Sequence, residues 1–161
     1  MRATDTAPAP EADPLAALAP LVVKRGVALG GLGEGQRALA LGFVWAGLGR
    51  GVLAEPGVNA ALKAQLAGAA RCLATDHVEL RRWLCDAGWL RRDAWGREYR
   101  RAAPAELPAA LQGLGVALEQ AFDGGATDAW AEGLRAAREA ERSARRRSHE
   151  QGRPGAGQPA P

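Results

Sequence analysis

Five stretches of the chain repeat their apolar positions at helical spacing, and a sixth reads as a pair of strands. Behind a loop marked by Gly30, Gly31, Gly33 and Gly35, the residues Leu39, Phe43, Trp45 and Leu48 predict a strongly apolar helix that ends near Gly49 or Gly51. Val58, Leu62 and Leu66 predict a second helix reaching about Ala67. Pro56 suits its first turn, where an amide would go unused, and Glu55 lies near the positive end of its dipole.

The third helix has the sharpest limits. Asp76 reads as its N-cap, Glu79 as the capping-box partner and Gly88 as the stop. Leu80, Trp83, Leu84 and Ala87 fall on one face, with Val78, Arg82 and Cys85 roughly opposite and Arg81 and Asp86 on the flanks. One face is therefore expected to pack and the other to stay free. Trp89, Leu90, Arg91 and Arg92, the turn-like Asp93, Ala94, Trp95 and Gly96, and then Arg97 to Arg101 read as a β-hairpin. Leu90 and Tyr99 are expected to face the helices, with Arg91, Arg97 and Arg101 on the hairpin's other surface or edge. A capped helix followed at once by a basic hairpin is the order of a recognition helix and its wing.

Past Pro104 and Pro108, a helix is predicted over residues 109–122 through Leu111, Leu114, Leu118 and Phe122. Asp128 caps another through Trp130, Leu134 and Ala137, and these two helices could pair or dimerise. Residues 138–147 carry more charge than their weak apolar stripe anchors and are expected to fray. Pro8, Pro10, Pro14 and Pro20 interrupt an alanine-rich start, which reads as a mobile leader. The expected organisation is a disordered leader over residues 1–20, a winged-helix-like domain over 21–103, a C-terminal helical extension over 104–148 and a disordered tail over 149–161. The fold class is mainly α with a small β-hairpin.

Composition supports helices. Alanine supplies much of the 47% hydrophobic content and aromatics only 5%. The formal net charge of +3 permits an anionic partner but is far from that of a nucleic-acid-coating protein. Lysine occurs only at Lys24 and Lys63, so arginine carries the positive charge. Guanidinium groups suit phosphate and guanine, although a GC-rich genome produces the same bias. No charged start precedes an apolar stretch, and the longest apolar run, residues 38–48, is shorter than the roughly 20 residues that span a bilayer. A soluble cytoplasmic protein without membrane contact is expected.

Candidate chemistry is sparse. Cys72, His77 and Cys85 are the one group with metal-ligand chemistry, but their spacing matches no standard ligand pattern and no fourth ligand is evident. The glycines from Gly30 to Gly35 lack the dinucleotide spacing and the lysine of a phosphate loop. Ser143 and Ser148, the only serines, lie in the charged tail with no histidine placed to activate them. Neither catalysis, a cofactor nor a metal is expected. The arginines of the third helix and hairpin interleave with Asp76, Glu79, Asp86, Asp93 and Glu98, which leaves two readings open: a solvated face of ion pairs worth about 0–1 kcal/mol each, or a nucleic-acid surface. Trp95 at the hairpin tip is either folded under the domain or offered to a partner.

The second helix contains Val58-Asn59. The third helix and hairpin read Asp76-His77-Val78-Glu79-Leu80-Arg81-Arg82-Trp83-Leu84-Cys85-Asp86-Ala87-Gly88-Trp89-Leu90-Arg91-Arg92-Asp93, closing with Gly96-Arg97-Glu98-Tyr99-Arg100-Arg101. Over roughly residues 36–101 this resembles the bacterial domain-of-unknown-function family two thousand and eighty-seven, whose members carry a similar D-x-x-x-L-R-R-x-L-x-D-x-G-x-L-x-R run followed by G-x-x-Y. The resemblance implies a small winged-helix-like domain, found alone or behind the helix-turn-helix of a transcriptional regulator, with no biochemical activity attached. Residues 67–74 look longer than the family's usual connection.

The resulting expectation is a transcriptional regulator or DNA-associated binding module. Arg81, Arg82, Arg91, Arg97 and Arg101 would meet nucleic acid, and Trp95 would meet a partner. The alternative is a protein-interaction domain that uses the hairpin and C-terminal helices without touching DNA. DNA, a regulatory protein and a second copy of the chain are the partner classes that follow.

Overall fold

A computed structural model describes residues 13–152. Its elements are α1 (Pro14–Val22), a 3-10 turn (Leu29–Gly31), α2 (Glu34–Ala46), β1 (Leu53–Ala54), α3 (Glu55–Ala67), α4 (His77–Asp86), β2 (Leu90–Arg92), β3 (Glu98–Arg101), a second 3-10 turn (Pro104–Glu106), α5 (Ala109–Ala121) and α6 (Thr127–Gln151). The chain is mainly helical, with a three-stranded antiparallel sheet in the order β1-β3-β2. The hairpin is present as its sequence predicts, and β1 adds a strand that two residues without alternation do not announce.

The helix boundaries follow local chemistry. α3 starts at Glu55 with Pro56 in its first turn, as expected. α2 begins at Glu34, inside the predicted glycine loop, and ends at Ala46 with Gly47 as its C-cap, ahead of the predicted stop. Arg37 fixes that early start, because its side chain donates to the Leu29 carbonyl at 3.0 Å and to the Leu32 carbonyl at 2.7 Å.

The described part of the predicted leader is a helix. The Asp13 carboxylate accepts the Leu15 amide at 3.0 Å, and Pro14 occupies a position where no amide is needed. Leu18, Leu21 and Val22 are buried, with α1 packed on α2, α5 and α6. Their burial, about 1.5–3 kcal/mol for each side chain, outweighs the roughly 3 kcal/mol that the interior Pro20 costs. Residues 1–12 of the leader and 153–161 of the tail lie outside the described residues. At the other end α6 is a continuous helix through Gln151, so the stretch 138–147 expected to fray is helical, as are residues 149–151.

One apolar cluster runs from Leu18 to Ala131. Trp45 and Trp89, both fully buried, stand at its centre with ring centroids 5.2 Å apart, and the Trp45 indole donates to the Ala102 carbonyl at 3.0 Å. Phe43 meets Phe122 and Trp130 edge-on at 5.5 and 5.6 Å, which fastens α2 to the end of α5 and the start of α6. The helices after Pro104 thus complete the core of the preceding ones. No helix among the described residues is long and apolar enough to cross a membrane.

Candidate nucleic-acid interface

α4 is held at both ends by the residues its sequence nominates. The Asp76 carboxylate accepts the Val78 and Glu79 amides, both at 2.8 Å, and these bonds lower its pKa, that of Glu79 most. Glu79 departs from a reciprocal capping box. Its carboxylate accepts the Thr75 hydroxyl at 3.0 Å, and the Trp83 indole lies 3.5 Å away. At the far end Gly88 takes φ +84°, which lets the Trp89 amide reach back to the Leu84 carbonyl at 2.9 Å and points the chain into β2. The turn between β2 and β3 is tied by the Asp93 carboxylate, which accepts the Arg97 amide at 2.7 Å and the Glu98 amide at 3.1 Å. Those bonds, Glu98 first, hold its pKa low.

Between α4 and β2 lies an open groove of ≈ 710 Å³, lined by Arg81, Arg82, Cys85, Asp86, Arg91 and Arg92 among others. Arg82, Arg91 and Arg92 are exposed, and among the described residues none has a carboxylate within 4.0 Å. Asp86 is the groove's one lining carboxylate. Burial pushes the Cys85 thiol up, against the pull of Arg92 and Arg81, so it stays protonated and weakly nucleophilic. Among the described residues no three His, Cys, Asp or Glu side chains gather as metal ligands, so Cys72, His77 and Cys85 do not form a cluster.

Two of the nominated arginines face inward. Arg101 pairs directly with Leu90 across the hairpin, and residues opposite each other on antiparallel strands share a face. Tyr99, two residues away, shares it too. Tyr99 and Arg101 therefore both face inward, and Arg101 does not lie on the hairpin's outer surface as expected. The Arg101 side chain is 8% exposed, donates to the Leu48 carbonyl at 3.2 Å and to Glu119 at 2.9 Å, and sits 4.0 Å over the Trp45 ring. Arg81 is 15% exposed. It donates to Asn59 at 2.6 Å, pairs with Glu55 at 3.1 Å and lies over Tyr99 at 5.3 Å. Both side chains are tied into the fold by these partners. Arg97 and Trp95 are exposed at the turn, Trp95 at 77%, beyond the groove's lining. Arg92 joins the residues that line the groove, and its register opposite Tyr99 of β3 is not visible in the sequence.

The arrangement defines a class: a small α-β-α-α-β-β unit whose last helix and hairpin border one basic groove. Residues 33–101, from the N-cap of α2 to the last residue of β3, match the model of a family described as an uncharacterized protein conserved in bacteria, DUF2087. The match leaves α1, α5 and α6 outside it, although they share its core. No curated protein and no solved structure matches the chain.

Proposed function

We propose that the protein is a non-catalytic, DNA-associated binding module of a transcription-regulatory kind, with a winged-helix-like unit from α2 to β3. The order helix, strand, helix, helix, hairpin supports it, as does the sheet order β1-β3-β2, which sets the hairpin beside the helix a duplex groove would receive. The observation that carries the reading is the groove itself, which Arg82, Arg91 and Arg92 line with no carboxylate within 4.0 Å of them among the described residues. Arg82 meets phosphates or base edges from α4, and Arg91 and Arg97 grip the adjacent backbone. The module acts in the cytoplasm. A fluorescence titration with labelled random-sequence duplex at two salt concentrations tests this. Affinity is expected to fall steeply with salt, and the triple variant Arg82→Ala, Arg91→Ala, Arg92→Ala to bind more weakly with a slope shallower by about 2–3. A flat salt response, or an unchanged variant, contradicts it.

The exposure of Trp95 favours a second reading, a protein-interaction domain in which this ring anchors a regulatory protein. Trp95→Ala would then abolish capture of that partner with little change in salt sensitivity, and retained capture would remove the reading.

A further inference from the structure

The second half of α6 leaves the core. Ala131 is fully buried, yet from residue 136 to 151 every side chain except the half-buried Ser143 is exposed, a stretch of about 24 Å of helix. Arg138, Arg142, Arg145 and Arg146 recur along it at helical spacing, successive turns standing about 6 Å apart. At its base, Arg138 and Arg142 face Lys24 and Arg25, at the end of α1, across two adjoining depressions. The larger, ≈ 610 Å³, also reaches Arg71 and Arg135, and neither shares a lining residue with the α4 groove.

Of the carboxylates along residues 132–151 two are engaged, while Glu141 and Glu150 have no Lys or Arg partner within 4.0 Å among the described residues. Glu132 is held by Arg71 and Arg135, each at 2.9 Å, and Glu139 by Arg146 at 3.1 Å. Among the described residues Lys24, Arg25, Arg138, Arg142 and Arg145 have no carboxylate within 4.0 Å. Gathering five such cations costs self-repulsion that a polyanion relieves. A membrane surface fits poorly, because alanine is the only apolar residue type in residues 136–151 and nothing there would enter a bilayer. A small phosphate ligand would engage only the cations around the two depressions, whereas Arg145 and Arg146 continue the row along the helix beyond them.

We infer that the α6 arm, with Lys24 and Arg25, is a second nucleic-acid contact that grips the phosphate backbone without reading sequence. It deepens the proposed DNA association and rests on it. The test uses the full chain and labelled random-sequence duplex over a salt series, comparing wild type, the triple groove variant and the arm variant Lys24→Ala, Arg25→Ala, Arg138→Ala, Arg142→Ala. Phosphatidylserine vesicles and polyglutamate serve as competing polyanions. The arm variant is expected to melt as wild type does and to flatten the log affinity against log salt slope by about 3. The groove variant is expected to retain the arm's part of the slope. Arg142→Glu, Arg145→Glu gives the same readout without touching α1. An unchanged slope in both arm variants overturns the inference, as does preference for vesicles or polyglutamate over duplex. A groove variant that behaves as wild type while the arm variants weaken overturns the groove reading alone. Failure of the wild type to bind overturns both.

Discussion

Arginine residues of the same sequence appearance divide here by what their carbon stems can reach. Arg101 takes up carbonyls at the end of α2, a carboxylate from α5 and a tryptophan face, all in a largely dry site. Arg101→Ala should therefore destabilise the fold by about 2–4 kcal/mol, because it strips several charge-assisted bonds at once and opens a void beside Trp45. Arg97→Ala should stay within about 0.5 kcal/mol in the same urea titration. Equal effects would contradict the assignment of one to the interior and the other to the surface. Glu106 provides the acid-sensitive counterpart. Its pKa is lowered from 4.5 to about 2, by the two hydrogen bonds from Arg100 first and then by the Ala103 amide. A depressed folded pKa means that its contribution is fully present above about 4.5 and is lost as the pH falls towards 2. Glu106→Gln should have a flatter fall in urea midpoint over that window, and an identical profile would remove the role.

Among the elements, α2 packs against α1, α4 and α5. Gly42 lies where a Cβ would meet Leu118 at 2.6 Å and the Trp89 ring at 2.9 Å. Alanine normally helps a helix interior by nearly 1 kcal/mol, but here overpacking wins and Gly42→Ala should destabilise by about 1–3 kcal/mol in thermal melts. A stabilised variant would mean that α2 and α5 are less closely packed than described. The caps of α4, the proline start of α3 and the hairpin turn were legible in the sequence, because each is set by residues within a few positions of one another. α1 and β1 were not. Four prolines outweighed the three apolar side chains that α1 buries, and β1 exists only because β3 offers it an edge, with Leu53 paired to Tyr99 across 46 residues.

At the scale of the whole molecule, the candidate groove was half legible. The capped helix and basic hairpin could be located, and Arg82 and Arg91 both line the groove between them. Which arginines were free to act could not be read, because Arg81 and Arg101 are claimed by Asn59, Leu48 and Glu119, 18 to 53 residues away in sequence. The same holds for Arg135, which clips the ends of α1 and α3 to α6 by donating to the Val22 and Ala69 carbonyls at 3.3 and 2.7 Å. Such inward arginines leave the outer cations of α4 and the hairpin as the surface that defines the proposed function. That claim is tested most directly by following backbone amide resonances of the ¹⁵N-labelled protein as a short random-sequence duplex is added at low salt. The account predicts shifts concentrated on Arg82, Cys85, Arg91, Arg92 and Arg97, reversed by added salt. Shifts that spare these residues, or none at all, would contradict it.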